Sequence, residues 1–291
     1  MDYALSLVVF LGIYMILAYA LDMAMGHAGL LAFGIGAHYA VGAYVTSILT
    51  LHFGFSFWSA IASAIVVTGL FGLASSLVLL RTRGDYFFLA SLGLQIILLD
   101  LIGNLDALTG GPHGLSGIPK PPSASSLPLS PATQHAILYM LIAALSVWVM
   151  RRLLVRGFGN ALRAARDDEI AASAFGKQTA WLKVRALALS AAFVGLAGAL
   201  YAHYVSYIDP ASFGFTESVY VLSMVVVGGI GHRFGPFIGA CLLLLAPEAL
   251  RFLNTSSGLD ANLRALLYGA LLVAFAFWKP GGVVGGKASQ S

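Results

Sequence analysis

The feature that most constrains this chain is a succession of uninterrupted apolar runs, most of them long enough to cross a lipid bilayer as helices. A helix of about 20 residues spans a hydrocarbon core of about 30 Å. Only 10% of the residues are charged and 59% are hydrophobic, whereas soluble domains carry about 25% charged residues. The runs also lack the alternation of membrane-barrel strands. The sequence therefore predicts an all-α polytopic membrane protein.

We predict about nine transmembrane helices in a single transmembrane domain of residues 1–291. A glycine-rich stretch follows the first span and contains His27 and His38, which suggests a broken or short helix that other parts of the protein must cover. The predicted spans are residues 3–21, 39–51, 57–80, 86–102, 136–150, 186–207, 219–230, 237–252 and 263–278.

One charged segment interrupts the apolar pattern, because five of the seven residues 163–169 are charged. The composition predicts a single short helix that begins at Asn160 as N-cap and stops at Gly176. Arg or Asp at the centre of a membrane helix costs about 2.5–3.5 kcal/mol, so this helix must lie in water. Opposite charges three or four residues apart can pair on its surface, namely Arg163 with Asp167 and Arg166 with Glu169.

The basic residues predict the topology. Eight of the sixteen Lys and Arg residues lie around the charged segment, which makes the loop of about residues 151–185 cytoplasmic by the positive-inside rule. Alternation then places the loops near residues 81–85 and 231–236 inside, together with the C-terminal tail. The loop of about residues 104–134 lies outside, and so does the N-terminus.

The sequence argues against several other functions. It contains no Walker A motif and no nucleophile elbow, so we do not expect the chain to be an enzyme. The histidines show no metal-ligand spacing, and no metal site is expected. The basic residues gather beside membrane spans, which does not suggest nucleic-acid binding. Three acids lie near or within apolar runs, where either ion coupling or solvation at span ends explains them; we favour solvation for Asp22, Asp100 and Glu248.

Two glycine-rich segments are candidate functional elements. The first either lines a pathway or permits close helix packing, and it contains Gly26, Gly29, Gly34 and Gly36. A weak internal repeat, which we call the internal echo, consists of residues 27–37 and residues 232–240. Each of these two stretches contains a histidine followed by an apolar glycine motif. The second is a shaped extracytoplasmic loop that either docks another protein or only connects, and it contains Thr109, Gly110, Gly111, Pro112 and Gly114.

The chain resembles the permeases of branched-chain amino acid ABC importers, specifically the LivM type of the LivH/LivM family. The matching stretches are residues 26–37, 83–86, 108–119, 159–176, 196–202, 227–236 and 279–282. The resemblance implies a permease subunit in the bacterial cytoplasmic (inner) membrane that couples ATPase closure to alternating access. It implies branched-chain or other hydrophobic amino acids as substrates. Urea, amides or aromatic acids remain alternatives, as does an ion-coupled secondary transporter.

The resemblance also implies partners. These are a LivH-like permease, two cytoplasmic ATPases of the LivG/LivF kind that hold ATP and Mg, and a periplasmic or lipid-anchored substrate-binding protein. By similarity, residues 160–176 are the coupling helix that docks on an ATPase, with Leu162 and Ala165 as docking contacts. The rim charges of that helix are Arg163, Arg166, Asp167, Asp168 and Glu169.

Overall fold

The computed structural model describes residues 2–82, 84–122, 130–155 and 157–252, and within these ranges the fold is almost entirely helical. Short helical turns occupy Met23–His27, Gly111–His113 and Pro210–Phe213, and two short strands, β1 (Leu115–Ser116) and β2 (Tyr207–Ile208), pair antiparallel. The α-helices are α1 (Asp2–Asp22), α2 (Ile35–Phe53), α3 (Phe57–Leu79), α4 (Asp85–Asn104), α5 (Asp106–Thr109), α6 (Pro131–Val155), α7 (Gly157–Asp167), α8 (Glu169–Ala174), α9 (Thr179–Val205), α10 (Phe215–Gly228) and α11 (Gly235–Phe252).

Six helical stretches of the described residues are long and apolar enough to cross a membrane, which confirms the polytopic all-α class. They are Tyr3–His27, Phe57–Leu79, Asp85–Asn104, Pro131–Val155, Thr179–Val205 and Pro210–Gly228. The predicted second and eighth spans fall on α2 and α11, which are not among the six. The ninth predicted span, residues 263–278, lies outside the described residues, so the count of nine is not confirmed.

The predicted break after the first span is present. Helix α1 continues into a π-helical turn at Met23–His27, and the chain then runs without regular structure until α2 begins at Ile35. Gly29 has a φ of +70°, which suits a residue without a side chain. Phe33 is 6% exposed and Ala28 is 2% exposed. Protein therefore covers Ala28 and Phe33 of the irregular segment, whereas Gly29 and Leu31 are exposed.

The bundle is built around α9, which packs against α1, α2 and α3. Small residues allow these backbones to come very close. A Cβ on Gly42 would lie 2.5 Å from the Cα of Gly195, and a Cβ on Gly198 would lie 2.8 Å from the amide nitrogen of Ala43. Lipid gives apolar helices little reason to associate, so membrane helices depend on such close packing. The glycines of α2 and α9 thus determine how the centre of the bundle assembles.

This packing predicts that Gly42→Ala destabilises the protein. The new methyl group would overlap the backbone of α9, and overpacking of this kind costs about 1–3 kcal/mol. The measurement is the thermal unfolding midpoint of the purified protein in detergent. Gly93→Ala is the matched control, because a Cβ at Gly93 of α4 meets no atom within 4 Å. Equal midpoints for the two variants would contradict the role of the α2–α9 contact.

Candidate functional site

The charged segment forms two helices rather than the single helix that the sequence predicted. The prediction was wrong because Asp168 has an extended backbone, with φ −149°, between α7 and α8. Its carboxylate accepts hydrogen bonds from the amides of Ile170 and Ala171, both at 2.9 Å. A short acidic side chain favours this N-cap geometry over a helix interior. Asp168 therefore ends one helix and starts the next.

The predicted start of the segment at Asn160 was wrong, and the predicted stop at Gly176 is confirmed. Asn160 is not the N-cap, since α7 already begins at Gly157. Gly176 does terminate α8, with a φ of +77°. Its amide donates to the carbonyl of Ser173 at 2.9 Å, and the amide of Lys177 donates to that of Ala172 at 3.2 Å. These two bonds form a Schellman motif, which glycine favours because it adopts positive φ without strain.

One face of α7 is buried against the membrane helices. Leu162 is 0% exposed and Ala165 is 2% exposed, so neither side chain is available to another protein and the prediction that they are docking contacts was wrong. Gly159 completes this face, since a Cβ there would overlap the backbone of Leu154. The buried cluster around Leu162 is formed by Met23, Ala28, Leu154 and Ala186. The amphipathic pattern of α7 thus joins it to its own chain.

Two of the predicted rim charges also turn toward the chain itself. The guanidinium of Arg166 donates a hydrogen bond to the carbonyl of Gly26. A Cβ at Gly29 would lie 2.8 Å from the Cγ of Arg166, so the arginine stem passes closely over this glycine. Arg163 donates to the side-chain oxygen of Asn160 at 3.1 Å. Arg163 also donates to the carbonyl of Leu154 in α6 at 3.5 Å. Both arginines therefore connect α7 to neighbouring parts of the chain.

The acidic residues of the segment behave differently. Asp167 and Glu169 are exposed, and Glu169 forms an ion pair with Lys183 of α9 at 2.8 Å. The predicted partner of Glu169 was Arg166, but the break at Asp168 separates the helix faces that would have brought them together. Lys183 instead links α8 to the start of α9.

Asp22 joins this region to the loop before α11. It is 3% exposed, and its Oδ1 accepts a hydrogen bond from the amide of Gly231 at 2.6 Å. The ring of His27 lies 3.7 Å from its other carboxylate oxygen. We expected Asp22 to be solvated at the end of a span, and that prediction was wrong because the Gly231 loop covers it. Contacts with Gly231 and His27 therefore take the place of water around this carboxylate.

Two glycines of the internal echo meet at this point. Gly26 precedes His27 and Gly231 precedes His232, and a Cβ on Gly26 would lie 2.6 Å from the amide nitrogen of Gly231. The guanidinium of Arg166 is close to both glycines. The segments predicted to share the cytoplasmic side, residues 151–185 and 231–236, thus lie at one end of the bundle.

The remaining glycines of the first candidate segment also lie in close contacts. A Cβ on Gly34 would overlap the carbonyl of Ser91, and a Cβ on Gly36 would overlap that of Phe213. The amide of Gly36 donates to Ser218 Oγ at 3.3 Å. These contacts show close packing at Gly34 and Gly36, and a role of these glycines in lining a pathway stays a prediction.

Helix α8 and the residue that follows it expose two apolar side chains that sequence reasoning missed. Ile170 is 82% exposed and Phe175 is 86% exposed, although the segment lies among charged residues. Ala172 is 5% exposed and lies on the face of α8 that packs against the rest of the chain. A sequence signal existed, because both residues are large and apolar in a stretch that cannot enter the bilayer. Larger exposed apolar patches mark interaction sites, and these two residues are candidates to form one.

The glycine-rich loop after α4 is a compact structure. Gly110, Gly111 and Gly114 all have positive φ, and the hydroxyl of Thr109 lies 2.6 Å from the carbonyl oxygen of Ile102. Strand pairing of Leu115 with Ile208 attaches the loop to the turn after α9. Pro112 is exposed. The prediction of a shaped loop rather than a long helix is confirmed.

The described residues therefore form an all-α polytopic membrane protein with a helical segment packed at one end of the bundle. The family model described as the branched-chain amino acid transport system / permease component matches residues 3–276. The chain belongs to this permease family.

Three relatives illustrate the similarity. The high-affinity branched-chain amino acid transport system permease protein LivM of Salmonella typhimurium is 35% identical, over 94% of this chain and 68% of its own length. The protein of the same name from Escherichia coli has the same identity and coverage. A probable branched-chain amino acid transport permease protein LivM of Methanocaldococcus jannaschii is 25% identical, over 97% of this chain and 93% of its own. No solved structure matches the chain significantly.

The buried face of α7 predicts that Leu162→Ala releases this helix from the bundle. Removing a fully buried leucine side chain costs about 2–5 kcal/mol, and here the loss falls on the α7 contact. We expect faster amide hydrogen exchange across Gly157–Asp167 in the intact protein. Ile170→Ala is the matched control, since its side chain is exposed and its loss leaves no cavity. Unchanged exchange in the Leu162 variant would contradict the packing role.

Proposed function

We propose that this chain is the transmembrane permease subunit of an ABC importer for branched-chain or other hydrophobic amino acids. It would act as a single permease domain in the bacterial cytoplasmic membrane, with its N-terminus outside and its C-terminus inside. ATP hydrolysis would belong to two partner ATPases, and a LivH-like permease would form the other half of the pathway. Family membership and the names of the relatives support this assignment.

The observation that carries the coupling proposal is the two-sided arrangement of the α7–α8 segment. Its inner face is buried against Met23 and Ala28, while Ile170 and Phe175 face outward. We propose that these two residues enter a groove on an ATPase, with Asp167, Asp168 and Glu169 at the rim. A segment fixed to the bundle on one side and exposed on the other transmits displacement instead of absorbing it.

The path of transmission follows from the contacts of α7. A displacement of Arg166 acts on the carbonyl of Gly26, and Gly26 packs against Gly231. Gly231 is also bonded to Asp22 at the end of α1. We infer that closure of the ATPases moves α1 and the start of α11 together. This joint movement would change the access of the pathway from one side of the membrane to the other.

The loop that contains Thr109 and Pro112 is our proposed contact for the substrate-binding protein. Its positive-φ glycines and the pairing of β1 with β2 hold it in one shape, which lowers the entropy cost of docking. The exposed residues Pro112 and His113 lie on its surface. Substrate selection would rest largely with that binding protein.

The function is tested by transport in proteoliposomes that contain the chain with its native partner subunits and binding protein. We expect uptake of leucine, isoleucine or valine that requires ATP and is insensitive to collapse of ion gradients. Uptake by this chain alone, driven by an ion gradient, would contradict the ABC assignment. Uptake of urea, an amide or an aromatic acid instead would overturn only the proposed substrate class.

The docking proposal predicts that Ile170→Ser and Phe175→Ser weaken ATPase association. Each change removes an exposed apolar group, so we expect the permease to remain folded while affinity for the ATPases falls about tenfold. Association is measured by titrating purified ATPase onto the permease in nanodiscs. Ala174→Ser is the matched control, because it adds a hydroxyl to α8 without removing apolar bulk. Wild-type affinity in both variants would place the ATPase contact elsewhere.

A further inference from the structure

A cleft lies beside the α7–α8 segment, between α1, α6 and the loop that precedes α11. Its volume is about 480 Å³. It adjoins a second cavity of about 390 Å³ that reaches Arg163 of α7, so both lie at the same end of the bundle. The cleft is lined by Met15, Tyr19, Ala144, Val147, Trp148, Arg151, Arg152, Val155, Arg233, Phe234 and Phe237.

The wall of the cleft nearest to α7 is strongly cationic. Arg151, Arg152 and Arg233 line it, and no Asp or Glu is among the lining residues. Within the described parts of the chain, none of these three arginines forms an ion pair with a carboxylate. Asp22 lines only the adjoining cavity, where its Oδ1 accepts a hydrogen bond from Gly231. Three cations that line one cleft without a paired carboxylate repel one another, so an anion at this position would be stabilising.

Arg151 is held in place as a preformed anion ligand. Its guanidinium lies 4.7 Å from the ring centre of Phe234 and 5.5 Å from that of Tyr19, and it donates to the carbonyl of Arg233. Its Nε is buried and has no hydrogen-bond partner in the described structure. A buried unsatisfied donor costs free energy, which a bound acceptor oxygen would recover.

The wall farther from α7 is apolar and lies along α6, which is one of the six helices able to cross a membrane. Trp148 of α6 is 60% exposed and Phe237 of α11 is 38% exposed, and Val147 and Ala144 continue the surface. Trp side chains are enriched at the level of lipid headgroups, because the ring is apolar and its N–H is polar. An occupant must therefore carry a negative charge at one end and hydrocarbon at the other.

We propose that this cleft binds one anionic glycerophospholipid from the leaflet on the side of α7 and α8. The phosphate would lie among Arg151, Arg152 and Arg233, and an acyl chain would lie along Trp148 and Phe237. Basic pockets between membrane helices are suited to anionic headgroups. A soluble phosphate ion offers the same charge, but it leaves the apolar wall unused.

The position of the cleft links lipid binding to coupling. The carbonyl of Arg233 accepts hydrogen bonds from Arg151 and from the hydroxyl of Tyr19, the latter at 3.0 Å. These bonds fix the loop whose Gly231 contacts Gly26 and Arg166. A lipid phosphate at Arg151 and Arg233 would brace this loop where the movement of α7 arrives.

The test is native mass spectrometry of the full-length protein, titrated in detergent with dioleoyl phosphatidylglycerol or dioleoyl phosphatidylcholine. We expect one retained phosphatidylglycerol and no comparable retention of phosphatidylcholine. Arg152→Gln/Arg233→Gln removes two cations and leaves the bonds of Arg151 intact, and it should weaken phosphatidylglycerol binding about 30-fold. Lys177→Gln/Arg185→Gln is the charge-matched control, because both residues are exposed and lie outside the cleft.

Three outcomes would overturn the proposal. One is equal retention of the two lipids, or retention of neither, by the wild-type protein, which is expected if the cleft is a contact surface for another protein and not a lipid site. Another is an equal loss of binding in the control variant, which would indicate non-specific attraction. The third is displacement of phosphatidylglycerol by inorganic phosphate at matched concentration, which would assign the cleft to a soluble anion.

Discussion

The contact between Arg166 and the backbone at Gly26 is the interaction on which the rest of the arrangement depends. It joins a charged segment, which the bilayer excludes, to the helices that cross the bilayer. The contact requires an arginine long enough to reach inward and a glycine at position 29 that lets its stem approach, while Gly26 supplies the carbonyl and leaves room for Gly231. Together with the burial of Leu162, it makes α7 part of the membrane domain, whereas Asp167 of α7 and the outer face of α8 stay exposed.

The same dependence on close backbone approach runs through the bundle. Lipid is as apolar as the side chains it would replace, and the helices therefore associate where small residues let main chains touch. Gly42 and Gly195 do this at the centre, and Gly26 and Gly231 do it at the end near α7. The latter pair ties the two halves of the internal echo together. Packing and the proposed coupling route thus use the same chemical feature.

Charged side chains have two different roles at the end of the bundle near α7. Asp22 and Glu169 are matched to partners, an amide of the Gly231 loop and Lys183, respectively. Arg151, Arg152 and Arg233 have no carboxylate partner in the described residues and face a cleft with an apolar wall. The first arrangement holds the permease together, whereas the second calls for an anion from outside the chain. A lipid headgroup would supply it and would connect the loop before α11 to the surrounding membrane.

The sequence by itself determined the class of protein, the approximate positions of six of the predicted spans, the clustering of basic residues and the stop at Gly176, because hydropathy, charge and glycine conformation act locally. It did not show that Asp168 would divide the charged segment, since capping competes with helix continuation by small free-energy differences. Only the tertiary structure decided which face of α7 is buried. Leu162 and Ile170 are equally apolar, and the surface of Met23, Ala28 and Ala186 that separates their roles comes from distant parts of the chain.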